Sequence, residues 1–253
     1  MTAILRTESL SVRYGGVQAL SEVDLEVSEG QLIGLIGPNG AGKTTLIDAV
    51  SGFAPAEGRV SLGGNDVSSL APHQRARRGL ARTWQAAELF EDLSVRENLR
   101  VACGSTSLWR ATRDALTARE REVEGVERAL ALVGLDGLAD RGADELAQGQ
   151  RKLVDVARAL AAEPTVLFLD EPAAGLDSLE SQALGRHLRD VVAAGTAVVL
   201  VDHDMGLVLS VCDHVVVLDF GKVISRGKPD EVRSDPKVVE AYLGRTAIAA
   251  QTT

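Results

Sequence analysis

The sequence predicts an α/β protein: a mostly parallel sheet covered on both faces, an antiparallel β portion at the N-terminus, and an inserted helical portion. Three observations predict it. Short apolar runs of strand length recur at 31–36, 165–170, 196–202 and 214–221. Helix-like stretches near 178–194 and 205–212 separate the last three, and strand–helix alternation of this kind builds parallel sheets. The first 30 residues differ, alternating apolar and polar in short stretches such as 10–14 and 23–27. Period-2 alternation marks half-buried antiparallel strands.

The elements follow in order. Residues 31–36 (QLIGLI) are nearly all apolar, as in a strand buried on both faces. A Gly-rich loop follows, then a helix over about 43–51, ended by Gly52 and Pro55. Residues 59–67 read as a hairpin around Gly63-Gly64. From 84 to 159 the chain is rich in Ala, Leu, Glu and Arg. Within it, 108–132 reads as one long charged helix, interrupted at Gly125 and ended by Gly134. Its charges fit a solvated helix face. Residues 229–244 read as short helices and 245–253 as a frayed tail. The expected organisation is one domain over 1–253, with an α/β core from 1–84 and 160–244 and a helical subdomain at 85–159.

Composition sets limits. The chain has 27 Lys+Arg against 36 Asp+Glu, a net charge of −9. That argues against nucleic acid as the main partner, because neutralising a phosphate backbone needs a basic face. Hydrophobic residues make up 45% of the 253, enough for a full-sized core. The 2 cysteines, Cys103 and Cys212, cannot make a disulfide framework and read as free thiols of a reducing compartment. With only 4 His, no metal-ligand spacing appears. Arg6, Glu8 and Arg13 come too early for a secretory signal. No apolar run approaches the ~18 residues that span a bilayer. A cytoplasmic chain is expected, with any membrane role reached through a partner.

The chemistry concentrates at GPNGAGKTT, residues 37–45. Gly37, Gly42, Lys43 and Thr44 match G-x-x-x-x-G-K-[ST], a phosphate cradle between strand and helix. Backbone N–H groups must point inward there, and Gly40 and Gly42 permit that wrapping. The following helix aims its N-terminus at the anion. Lys43 reaches β- and γ-phosphates, and the Thr44 hydroxyl ligates Mg²⁺. No internal repeat is visible, so one nucleotide-binding unit is expected. A second element is TVLFLDE, 165–171. It carries Asp170 to a strand end, where open α/β sheets place ligands. Asp170 is expected to hold Mg²⁺ through water, and Glu171 to act as general base.

The set GPNGAGKTT, Gln85 in RTWQ, LAQGQ (146–150), LFLDEP (167–172), GLD (175–177) and His203 resembles the ATP-binding subunit of ABC transporters. The resemblance covers nearly the whole chain and implies a P-loop ABC ATPase fold. RTWQ…LFEDLSVRENLRVA, DEPAAGLD, DHDMGLVL and KPDEVRSDPKVVEAYLG narrow it toward ATPases of branched-chain amino-acid importers, features shared with importers of urea and short amides. It implies ATP and Mg²⁺ as ligands, with Gly37, Pro38, Asn39, Gly40, Ala41, Gly42, Lys43, Thr44 and Thr45 around the phosphates. It further implies that Tyr14 stacks on adenine and that Gln85 touches Mg²⁺ and the attacking water. Asp177 would bridge to the other ATPase subunit, and His203 would contact the γ-phosphate and position Glu171. His73, His187 and His214 have no such context.

The signature departs from the family form L-S-G-G-Q. Here it reads Leu146, Ala147, Gln148, Gly149, Gln150. Ala147 cannot donate the serine's hydrogen bond to a phosphate, a bond worth ~1.5–3 kcal/mol. Gln148 adds bulk where glycine is bare. The resemblance implies two cassettes closing head to tail, the signature of one completing the cradle of the other. It favours a second, related ATPase as partner, with two copies of this chain as the alternative. Membrane permease subunits and, through the complex, an external solute-binding protein complete the expected assembly, which would hold the chain on the inner face of the membrane. The competing reading is a soluble single-cassette ATPase for assembly or mechanical work. A regulatory subunit that only binds ATP would have no need of Gln85, Glu171 and His203 together.

Overall fold

The computed structural model describes residues 3–84, 89–103 and 115–242. Gln85, the start of the expected 108–132 helix, and the expected tail lie outside the described residues.

The N-terminal strands are longer than the alternation suggests. β1 spans Ala3–Tyr14 and β2 spans Val17–Ser28, paired antiparallel. Their inward residues change phase along each strand. In β1 the buried set is Leu5 and Thr7, then Leu10 and Val12; in β2 it is Leu20, then Val23, Leu25 and Val27. Each change of parity falls at a residue with left-handed backbone, Ser9 (φ 48) and Glu22 (φ 50). A bulge inserts one residue and flips the phase, so one apolar face continues to meet the core. Sequence alternation therefore breaks where the strand does not. Buried Thr7 is satisfied: its Oγ1 donates to Val23 O (2.9 Å) and accepts from Leu25 N–H (2.8 Å). β4 (Glu57–Leu62) joins β1 antiparallel and β5 (Asn65–Asp66) closes the hairpin expected at 59–67. The sheet order is β2-β1-β4-β5.

The second sheet has the order β10-β9-β3-β8-β7-β6. Its strands are β3 (Leu32–Ile36), β6 (Leu80–Arg82), β7 (Val166–Asp170), β8 (Ala197–Val201), β9 (His214–Asp219) and β10 (Lys222–Gly227). All pairings are parallel except β9 with β10. Every residue of β3, β7 and β8 is buried, which is why these segments read as continuous apolar runs. Successive residues serve two cores. Leu32, Leu167, Leu169, Val198 and Leu200 pack on one face, Ile33, Leu35, Phe168, Val199 and Val201 on the other. Each such buried side chain contributes about 1.5–3 kcal/mol.

Around the second sheet lie α1 (Lys43–Ser51), α2 (Pro72–Ala76), α3 (Val95–Cys103), α4 (Ala115–Leu132), α5 (Gln148–Leu160), α6 (Ser178–Ala193), α7 (Met205–Val211) and α8 (Pro229–Arg233). Residues 236–242 are also helical. The first core joins α3–α7 to one sheet face; the second fills the space between the other face, α1 and the antiparallel sheet. One expectation needs correction, and two strands had none. α4 runs unbroken through Gly125. A Cβ there would lie 2.9 Å from Ala161 O, so this glycine permits close helix packing and breaks nothing. Strands β6 and β10 carry no apolar run that sequence reading separates from loop. β6 is three residues long, and β10 (KVISRG) is an edge strand with no fully buried residue.

Candidate nucleotide site

The cradle is local in origin. β3 ends at Ile36, the loop turns, and α1 begins at Lys43. Gly37 has φ 152, and a Cβ there would lie 2.1 Å from Leu218 O, so only glycine fits. Gly42 caps α1 with φ 106, and a Cβ would meet Leu20 and Ala19 O within 3 Å. Ala41 is fully buried and its N–H donates to Pro38 O (3.1 Å). Lys43 Nζ donates to Gly37 O (2.7 Å) and Pro38 O (3.2 Å), folding the side chain over the loop.

A cavity of about 790 Å³ opens above this loop. Asn39, Gly40, Ala41, Gly42, Lys43, Thr44 and Thr45 line its floor, with Glu171 and His203 beside them. Residues more than 120 positions apart are thus gathered at the C-terminal ends of β3, β7 and β8, the place where open α/β sheets hold ligands.

Asp170 ends β7 and is nearly fully buried. Burial, and then the Glu171 carboxylate, push its carboxyl above the usual range, while Arg82 and Lys43 pull the other way. Its N–H donates to Thr83 Oγ1 (3.2 Å). Glu171 follows with left-handed backbone (φ 51), its N–H donating to Val201 O (2.7 Å). A strained non-glycine position of this kind costs roughly 1–3 kcal/mol and is held by its surroundings. Buried Asp202 braces the turn that follows: its Oδ2 accepts from Ala173 N–H (3.0 Å) and its Oδ1 from Asp204 N–H (2.9 Å). Asp202 thereby ties the turn after Glu171 to the loop bearing His203. His203 itself is exposed, its Nδ1 3.8 Å from Asp202 Oδ1.

The other motif residues lie elsewhere. Leu146 is buried and Ala147 is the N-cap of α5, followed by exposed Gln148, buried Gly149 and Gln150. Gln150 Oε1 accepts from Ala147 N–H (3.0 Å). None of the five is among the cavity's described lining residues. Asp177 is the N-cap of α6: its Oδ1 accepts from Leu179 and Glu180 N–H (both 2.8 Å), and Glu180 Oε2 accepts from Asp177 N–H (3.0 Å). Tyr14 ends β1, half exposed, and pairs with Val17 across the hairpin. Val17 does line the cavity.

Two residues that sequence reading did not single out reach this region. Phe220, on the turn between β9 and β10, lines the cavity. Tyr242, in the C-terminal helical segment, forms a hydrogen bond with the Gly37 backbone; burial pushes its hydroxyl up. The motif AYLG (241–244) was visible, but nothing in one sequence points it at the loop.

Comparisons with known proteins give the family and match the fold. A family model described as ABC transporter matches residues 20–174, and one described as branched-chain amino acid ATP-binding cassette transporter matches 222–248. The chain is 38% identical over 249 residues to the high-affinity branched-chain amino acid transport ATP-binding protein BraF of Pseudomonas aeruginosa, covering 95% of this chain and 98% of the relative. It is 38% identical over 245 residues to the probable branched-chain amino acid transport ATP-binding protein LivG of Archaeoglobus fulgidus, 95% of each. Among solved structures, a nucleotide-free ATP-binding cassette from an ABC transporter superposes with TM-score 0.83 at 33% identity, over 95% of this chain and 99% of the other. The ADP conformation of an ABC transporter cassette gives TM-score 0.85 at 33% identity, over 96% of this chain and 100% of the other. With a phosphate cradle, an acidic strand end and a histidine gathered at one cavity, and relatives matched end to end, the chain belongs to the ABC transporter ATP-binding cassette family, in its branched-chain amino-acid transport group.

Proposed function

We propose that the chain is the ATP-hydrolysing subunit of a membrane importer for a branched-chain amino acid or a related small solute. One observation carries the hydrolytic reading: Lys43, Thr44, Glu171 and His203 line one cavity, while the signature 146–150 opens a different helix. The cradle holds one side of the triphosphate, and a signature from a second cassette would close the other.

In this reading the loop amides and Lys43 bind the phosphates, Lys43 exchanging the Gly37 and Pro38 carbonyls for phosphate oxygens. Glu171 accepts the proton of a water whose oxygen bonds the γ-phosphorus as the bond to the bridging oxygen breaks. His203 contacts the γ-phosphate and orients Glu171. Among the described residues no three His, Cys, Asp or Glu side chains form a metal cluster. Thr44 and Asp170 are oxygen donors, which fits Mg²⁺ held mostly by phosphate and water. Bound there, the ion neutralises charge on the phosphate oxygens. Gln85 would join that site.

Pairing is supported by exposed Ala147, Gln148 and Asp177 and by Leu179, 73% exposed beside Asp177. The non-standard signature favours a second, related ATPase over a second copy. For the membrane partner, a groove of about 300 Å³ is lined by Arg82, Trp84, Phe90, Val101, Asp155 and Arg158. Its Trp84, Phe90 and Val101 are each about half exposed, suited to an apolar segment from permease subunits on the inner face of the membrane. No helix among the described residues is long and apolar enough to cross a membrane itself. The solute would be selected by the permease and an external binding protein.

Glu171→Gln tests the hydrolytic role. ATP affinity should hold while turnover falls by roughly 10²–10⁴; turnover near wild type would sink the base assignment. Purification of the chain from detergent-solubilised membranes tests the assembly. Multi-span permeases and a second P-loop ATPase should come with it, and soluble partners alone would retire the importer.

A further inference from the structure

The nucleotide cavity has lining residues that the phosphate machinery leaves unexplained. Besides Lys43, Thr44, Glu171 and His203 it is lined by Val17, Gln18, Ala19 and Phe220. Phe220 is 75% exposed and Val17 68%. Apolar side chains left exposed beside a cavity gain burial free energy when a ligand covers them.

The backbone of Phe220 is also unusual. It sits in the left-handed region, φ 44, where a bulky residue is an outlier. The conformation is held from both sides. Gly221 N–H donates to Ala41 O of the phosphate loop (2.9 Å), and Ser21 N–H donates to Gly221 O (2.9 Å). The β9–β10 turn is thus fastened to the cradle and to β2, next to Val17 and Ala19. A strained backbone, a wide aromatic surface and a rigid tie to the phosphate loop coincide at one residue.

We infer that Phe220 is a nucleotide contact: its ring, with Val17, forms the apolar seat for the base and ribose of the bound nucleotide. This rests on the proposal that the cavity takes ATP. A nucleoside triphosphate has one polyanionic end and one flat aromatic end, and the cavity lining offers both charged and apolar side chains. Phe220 comes from the C-terminal half of the chain, so it is separate from the aromatic at Tyr14. With Tyr14 on the hairpin end and Phe220 on the turn, the base is approached from two elements.

The test uses the purified full chain, with binding of ATP and of inorganic tripolyphosphate measured by calorimetry. Phe220→Gly removes the ring and relieves the left-handed backbone together, so the variant should melt at or above the wild-type temperature. ATP affinity should nevertheless fall about 5- to 150-fold, the usual worth of one base–aromatic contact. Tripolyphosphate, which has no base, should bind within about two-fold of wild type, because the ring contributes nothing to phosphate. Phe220→Tyr should restore ATP binding. ATP affinity unchanged in Phe220→Gly, or equal losses for ATP and tripolyphosphate, would overturn the contact while leaving the nucleotide reading intact. A wild-type chain that binds neither ligand would overturn both.

Discussion

Arg82 Nη1 donates to Asp48 Oδ1 across 2.5 Å, joining the end of β6 to the helix that carries the phosphate cradle. The guanidinium also lies 4.0 Å from the Trp84 ring centroid and 5.7 Å from that of Phe53, and those two rings meet edge to face at 5.1 Å. One cation therefore links α1, the segment leading toward Gln85, and the groove proposed for the membrane partner. Arg82→Ala should destabilise the fold by about 2–3 kcal/mol, because it strips a charge-assisted bond from a half-buried carboxylate. Arg82→Lys should recover only part, since an ammonium cannot pair and stack at once. Chemical denaturation of the three proteins decides this; equal midpoints would remove Arg82 as a structural link.

The signature makes a prediction about stability as well as turnover. Ala147 is an N-cap with no side-chain acceptor. Ala147→Ser supplies one, and should stabilise the isolated chain by about 0.5–2 kcal/mol. Its effect on ATP turnover should appear only when two cassettes can pair, because in the proposed assembly the hydroxyl would serve a phosphate bound in the other subunit. A turnover change of equal size in a strictly monomeric preparation would contradict the shared site.

Neither thiol is poised for chemistry. Burial raises the Cys103 thiol to about 11, and its Sγ donates to Ala161 O at 3.3 Å. Burial pushes Cys212 up as well. The thiolate is the reactive form, so at pH 8 Cys103 offers only about a thousandth of its sulfur as thiolate. Labelling of the folded chain with a disulfide reagent should be slow and should accelerate nearly tenfold per pH unit toward pH 11. A rapid stoichiometric burst at pH 8 would refute this.

Tyr242→Phe removes the hydrogen bond with the Gly37 backbone and little else. A cost of about 0.5–1.5 kcal/mol in stability is expected. ATP and tripolyphosphate affinities should fall together, by at most about ten-fold, since the bond acts on the phosphate loop rather than on the base. That pattern differs from the one expected for Phe220. An unchanged melting temperature and unchanged affinities would show that Tyr242 only fills space.

What could be read from the sequence is what the chain builds locally. The buried strand, the glycine loop and the helix after it are contiguous over 31–51, so period, composition and glycine placement describe them directly. The same holds for the acidic end of β7 and for the helices between parallel strands. The length of β1 and β2 was not legible, because bulges at Ser9 and Glu22 reset the alternation that reveals a strand. β6 and β10 were not legible because short or exposed edge strands need little apolar sequence. Gly125 looked like a helix break because the reason for it, the Ala161 carbonyl, lies 36 residues away. Sequence by itself determined the fold class and the phosphate loop. Only the tertiary structure decided that Asp202 ties the turn after Glu171 to the loop of His203, and that Phe220 and Tyr242 approach a loop some 180 to 200 residues earlier. Those contacts depend on the order in which strands enter the sheet, and that order is set by the packing of both faces together, which no local pattern encodes.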